Sequence, residues 1–193
     1  MADRCTQSEG HLVGRHLLIG LTGGIACYKV ASLVSSLIQI GSTVDVIMTQ
    51  AATRFIAPLT FEALTGRQVI TSQWSQGSDR NPNHIQLASS ADAMLIAPCT
   101  MDMLAKLANG MTDDPVSLVI SAINKETTPV LLAPSMNSVM FSQAVTQRNL
   151  ATLSNDGFTI IDPDDGWQAC RSIGKGRLPD PERLFEALAV CFG

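Results

Sequence analysis

The chain has 193 residues, a length that suits one domain and can bury a full core without disulfide or metal staples. Apolar residues make up 46% of it, yet Lys, Arg, Asp and Glu together reach only 16%, against roughly 25% in an average soluble domain. A surface this poor in charge is expected to be covered by copies of the same chain, and the net charge of −4, with no Lys/Arg cluster, excludes a nucleic-acid binder that needs a cationic stripe.

Residues 1–15 carry Asp3, Arg4 and Glu9 among small polar residues and lack the apolar centre of a signal peptide, so they read as the N-terminal tail of a cytoplasmic protein, with 16–193 as one domain. No run approaches the roughly 18 continuous apolar residues of a membrane span. Short apolar runs at His16 to Leu21, Thr43 to Met48, Ala91 to Ala97, Pro129 to Ala133 and Phe158 to Ile161 predict strands. Between the first two, Ala26, Val30, Leu33, Val34 and Leu37 share one helical face, with Lys29, Ser32, Ser36 and Gln39 on the other and Gly41 as a stop. A last helix is predicted from Asp180 as N-cap and Pro181 at its first position, with Leu184, Phe185 and Leu188 inward. Strand and helix in alternation imply an α/β fold with a parallel sheet covered on both sides, whose ligands bind beyond the carboxyl ends of the strands. Two stretches, Ser72 to Asn83 and Asp162 to Lys175, read as loops able to act as lids.

Several of the loops carry chemistry. Thr22-Gly23-Gly24-Ile25-Ala26 lets the backbone turn tightly and offer amide groups to a phosphate at a helix N-terminus, although a plain strand-to-helix turn reads the same way. Thr49 is either a second phosphate contact or an N-cap. His84, in Asn83-His84-Ile85, is a lone histidine at the edge of a polar loop, which reads as a structural residue or as a base near neutral pH. The Pro98-Cys99-Thr100-Met101-Asp102 loop either faces a ligand with its backbone or starts a helix. In Pro134-Ser135-Met136-Asn137-Ser138-Val139-Met140-Phe141, packing accounts for the methionines but not for Asn137, whose NH2 group could bind a carboxylate or whose role could be a turn. The five cysteines, at 5, 27, 99, 170 and 191, fit neither a disulfide framework nor a zinc site and read as reduced thiols. Among them only Cys170 has cations beside it, in Arg171, Lys175 and Arg177, which favour thiolate or bind an anion.

Together and in this order, these pieces resemble the flavin-containing cysteine decarboxylase family over about His16 to Pro181. The resemblance rests on Thr22 to Lys29, the Asn83-His84-Ile85 histidine, the Pro-x-Met-Asn-x-x-Met motif ending in Phe141, and Ala169-Cys170 before Gly174-Lys175-Gly176-Arg177. It implies a flavodoxin-like fold and FMN held by Gly23, Gly24, Thr49, Phe55, Ser135 and the loop of Pro98, Cys99, Thr100, Met101 and Asp102. It also implies His84 as base, Asn137 as carboxylate ligand, Cys170 as proton donor, and Met140, Arg171 and Lys175 as further substrate contacts. Trimers or higher homo-oligomers with sites between neighbouring subunits are implied as well, and no metal. The chain departs from the family pattern at Phe141 (usually Trp), Asp102 (commonly Asn) and Arg171 (usually Gly). Flavin prenyltransferases, peptidyl-cysteine decarboxylases and FMN-binding regulatory proteins are the neighbouring alternatives.

Overall fold

Successive residues of strand β1 (His16–Leu21) bury to opposite sides: Leu17, Ile19 and Leu21 join one apolar cluster and Leu18 the other. The same split runs through β2 (Thr43–Met48), β3 (Ala93–Cys99) and β4 (Val130–Pro134), where Val46, Leu95 and Leu131 face one way and Ile47, Ile96 and Leu132 the other. Strands buried on both faces belong to a parallel sheet sandwiched by helices. The computed structural model has that form, and it describes residues 10–74, 83–169, 171 and 173–193.

On one face lie α1 (Cys27–Gln39) and α2 (Pro58–Thr65), packed through Val30, Leu33, Leu37 and Phe61. The other face carries α3 (Asn83–Ser90), α4 (Met101–Ala108) and α5 (Pro115–Ala122), through Ala88, Met103, Leu104, Val116 and Ile120. After β4 come the short α6 (Ser138–Ser142), α7 (Ala144–Asn155) and a two-residue edge strand β5 (Thr159–Ile160); α7 adds Leu150 and Leu153 to the second face. A separate antiparallel hairpin, β6 (Asp164–Trp167) and β7 (Ile173–Arg177), precedes α8 (Pro181–Val190), which returns to the first face through Leu184 and Leu188. The parallel sheet runs β2-β1-β3-β4-β5, so the chain reverses direction across the sheet between β1 and β3. This is the flavodoxin-like doubly wound order, in which ligands bind at that switch point. Among the described residues no helix is long and apolar enough to cross a membrane.

The first two strands and α1 fall where the pattern puts them, and several details differ. The third strand is Ala93–Cys99 rather than Ala91 to Ala97, because the Asp92 carboxylate instead accepts the His16 N–H at 2.7 Å. A register shift between Ile96 and Cys99 carries the strand past Pro98, which has no N–H to give. The Asp162 to Lys175 stretch is a paired hairpin over much of its length rather than a loop. Leu12, expected in the tail, is fully buried, and its carbonyl accepts the Ser42 hydroxyl. Lys29, placed by periodicity on the solvent face, is 8% exposed, and Asp180 does not cap α8 with its side chain. These last two share one cause: Lys29 Nζ donates to Asp180 Oδ1 at 2.7 Å and to Leu178 O at 3.0 Å. That pairing holds the Asp180 carboxyl below the usual carboxylate range.

At the opposite end of the sheet, His16 Nε2 lies 2.7 Å from Asp45 Oδ2 and Nδ1 lies 2.9 Å from Ser90 O, two acceptors that favour the imidazolium. The bond to Asp45 raises the His16 pKa above 6.5, against the opposing effect of burial. Burial pushes Asp45 up, but the bonds from His16 and Arg67 outweigh it and hold the carboxyl below 3.8. The His16 contribution to stability is therefore complete below about pH 6.5 and lost as pH rises through its raised folded value, while that of Asp45 is lost as pH falls through its lowered one. His16→Leu is expected to cost about 1–2 kcal/mol, roughly 2–8 °C in melting midpoint, in mildly acidic buffer. The gap to wild type should shrink on titrating to alkaline pH, and melting curves across pH check this.

Candidate active site

The loops leaving β1 and β3 meet at the switch point through one buried hydroxyl. Thr22 Oγ1 donates to Pro98 O at 2.6 Å and accepts the Thr100 N–H at 3.0 Å, which fixes the spacing of the two loops. Thr100 Oγ1 in turn accepts the Met103 N–H at 3.3 Å and caps α4. By contrast α1 begins at Ala26 with no side-chain cap. Of its first amide groups, that of Cys27 donates to Gly24 O at 3.1 Å and that of Lys29 to Ala26 O at 3.0 Å, while the Tyr28 N–H, at the positive end of the helix dipole, has no hydrogen-bond partner among the described residues. A Cβ at Gly23 would lie 2.5 Å from Ala51 Cβ, so only glycine lets the Thr22–Ala26 turn pass the 49–52 turn this closely.

The second wall comes from the segment after β4. Asn137 is the N-cap of α6: its Oδ1 accepts the Met140 N–H at 2.8 Å. That bond consumes the carbonyl side of the amide, and among the described residues its NH2 group has no hydrogen-bond partner. The turn role and the ligand role expected for Asn137 are thus compatible, because each uses a different end of one carboxamide. The hairpin forms the third wall: Met136 N–H donates to Gly176 O at 3.0 Å, and Gly176, at φ 134°, has no room for a side chain against Met136 O.

These walls enclose a cleft of about 510 Å³, within the ~300–1,000 Å³ range of small-molecule sites. Gly23, Gly24, Thr100, Ser135, Asn137 and Met140 of the expected residues line it, together with Ile25, Tyr28, Lys29, Trp167, Gln168 and Arg177. Ile25, Tyr28 and Trp167 are each more than half exposed, an apolar rim open to solvent. Arg177 Nη2 donates to Asp180 Oδ1 at 2.9 Å, so Lys29 and Arg177 share one carboxylate at the cleft edge.

The other expected residues stand around the cleft rather than in it. Thr49 Oγ1 accepts the Ala52 N–H at 3.2 Å, and Phe55 is half-exposed at the end of that turn. Pro98 sits under Gly24, with its Cγ 3.4 Å from where a Cβ would be. Cys99 is fully buried, and burial pushes its thiol far up, so it can offer only backbone. Met101 and Asp102 open α4, where Asp102 faces solvent near Lys106. Lys175 is exposed, with Nζ 5.6 Å from the Phe141 ring centroid and 3.5 Å from Asp162. Arg171 occupies the left-handed region at φ 64°, and its N–H donates to Gln168 O at 2.9 Å. A side chain there is strained where glycine would not be. His84, in the first turn of α3, does not line the cleft. Cys170 lies outside the described residues. Sequence reasoning missed Gln168 and the burial of Lys29, because the partners of both lie in or beside the hairpin it read as loop.

Known proteins match this arrangement. A family model described as Flavoprotein matches residues 5–192, and the chain belongs to that family. Among curated relatives, it is 42% identical over 181 residues to the coenzyme A biosynthesis bifunctional protein CoaBC of Haemophilus influenzae, covering 94% of this chain and 44% of the relative. The CoaBC protein of Bacillus subtilis is 41% identical over 175 residues, covering 91% and 42%. The chain therefore spans less than half the length of these relatives. Among solved structures, an FMN-dependent cysteine decarboxylase, SpaF, superposes with a TM-score of 0.77 at 26% identity, covering 93% of this chain and 99% of that one. A PPC decarboxylase mutant complexed with pantothenoylaminoethenethiol gives 0.81 at 24% identity, covering 92% and 97%, a likeness of fold.

Gly23→Ala tests the narrowest point of this site. The added methyl must push the two turns apart, at an expected cost of about 1–3 kcal/mol and with loss of bound flavin. Melting with and without added flavin, and the flavin absorbance of the purified variant, measure both effects; a Gly23→Ala variant as yellow and as stable as wild type contradicts the geometry.

Proposed function

We propose that the chain is an FMN-dependent decarboxylase that converts 4'-phosphopantothenoyl-cysteine to 4'-phosphopantetheine in coenzyme A synthesis. The observation that carries this reading is Asn137, whose NH2 group has no partner among the described residues at the wall of a cleft facing the Gly23–Gly24 turn. Family membership and the identity to CoaBC proteins, confined to less than half of their length, support it.

The residues present fit FMN: an uncapped helix N-terminus suits its phosphate, and Ile25, Tyr28, Met140 and Trp167 supply apolar surface for a flat ring. When bound, the flavin supplies reversible two-electron oxidation of the substrate thiol, which makes an otherwise unreactive carboxylate able to leave. The Asn137 NH2 group binds that carboxylate by hydrogen bonds and holds it in line for departure. His84 takes a proton from the substrate, and Cys170 returns one to the product carbon. Arg171 and Lys175 contribute positive charge toward an anionic substrate.

His84 does not line its own cleft, so a neighbouring copy is the source of the base in this reading. The low charge content and the apolar rim of Ile25, Tyr28 and Trp167 support self-association as a trimer or higher homo-oligomer. Free Cys27, Cys99 and Cys191 accord with a reducing cytoplasm.

His84→Asn is expected to stay yellow and lose roughly 10²–10⁴-fold in turnover. Cys170→Ser should consume substrate while failing to release 4'-phosphopantetheine at the wild-type rate. Carbon dioxide release is measured with phosphopantothenoylcysteine and separately with a peptide ending in cysteine. Release from the peptide alone moves the assignment to a peptidyl-cysteine decarboxylase, and release from neither overturns it. Mixing His84→Asn with Asn137→Ala subunits should restore part of the activity, and no recovery in reassembled oligomers contradicts a site shared between copies.

A further inference from the structure

Gln168, the first residue after β6, is only 7% exposed and lies at the cleft wall. A buried carboxamide must find partners, and those of Gln168 include main-chain groups from two separate segments. Its Oε1 accepts the Ser138 N–H at 3.1 Å. Its Nε2 donates toward Met136 O at 3.5 Å and toward Gly174 O and Lys175 O, each at 3.3 Å. Met136 and Ser138 are the two chain neighbours of Asn137. One carboxamide thus grips the backbone on both sides of the carboxylate-binding residue and ties it to β7.

We propose that Gln168 is a positioning residue: it fixes the backbone around Asn137 relative to the hairpin and so sets where the Asn137 NH2 group presents itself. The inference deepens the decarboxylase reading and rests on it. The only other main-chain hydrogen bond in this contact among the described residues is Met136 N–H to Gly176 O. A single bond acts as a pivot, whereas Gln168 adds attachments on the far side of Asn137 and removes the rotation. Misplacing a substrate group by about 1 Å can cost on the order of 10²-fold in rate, so a residue that touches no reacting atom can govern turnover.

The test uses flavin-loaded protein carrying Gln168→Leu or Gln168→Glu, with wild type beside them. Gln168→Leu should remain folded and yellow, lose roughly 10–10²-fold in kcat on phosphopantothenoylcysteine, and show faster amide exchange at Ser138 and Met140 without substrate. In Gln168→Glu the carboxyl donates a hydrogen bond only when protonated, so its kcat relative to wild type should rise as pH is lowered, a dependence absent from the leucine variant. Wild-type kcat in Gln168→Leu, unchanged exchange at Ser138 and Met140, or a flat pH ratio for Gln168→Glu each overturns the proposal. A wild-type protein that turns over no substrate defeats the decarboxylase reading instead, and the exchange of Ser138 and Met140 then decides by itself whether Gln168 holds this segment.

Discussion

The site depends on one backbone-to-backbone approach: β7 lies against Met136 so closely that Gly176 has no space for a side chain. The Met136 N–H to Gly176 O bond closes the hairpin over the segment after β4, and without it the cleft would be an open shelf at the end of the sheet. Lys29 pins the far end of the same hairpin by bonding to Leu178 O and Asp180, so the third wall is fastened to α1 as well. A two-stranded ribbon has little stability of its own, and here it is held by glycine contacts and buried polar side chains.

Charge is distributed to leave the ligand end of the sheet chemically open. At the other end, His16, Asp45 and Arg67 satisfy one another and join β1 and β2 to the loop after α2. At the cleft edge, Lys29 and Arg177 are already matched by Asp180. Neutral hydrogen-bonding capacity stays unmatched among the described residues at the Tyr28 N–H in the first turn of α1 and at the NH2 group of Asn137. Such donors bind anions without competing counter-charges, which suits a cofactor phosphate and a departing carboxylate.

The sheet was legible because burial on both faces leaves continuous apolar runs, and α1 because its Val30–Leu37 stripe keeps the helical period. Thr22 to Ala26 and Asn137 were legible as loop residues of unusual chemistry. The hairpin was not, since Asp164 to Trp167 and Ile173 to Arg177 lack alternating apolar residues and owe their pairing to contacts with Met136 and Ser138. Lys29 was misread, and Asp180, though it is the N-cap position of α8 as expected, spends its carboxylate elsewhere, because local pattern says nothing of a partner about 150 positions away. His84 shows a further limit: its residue type suggests a base, but the sequence does not reveal that it stands outside the cleft of its own chain.

The most direct measurement of the central claim is the stoichiometry of an anaerobic reaction between the flavin-loaded protein and phosphopantothenoylcysteine. In the proposed reaction the electrons taken from the thiol are returned, so one carbon dioxide and one 4'-phosphopantetheine should form per substrate through many turnovers, with no oxidant added and the flavin recovered oxidised. Turnover that stops after one equivalent per site, or that requires oxygen, would contradict it.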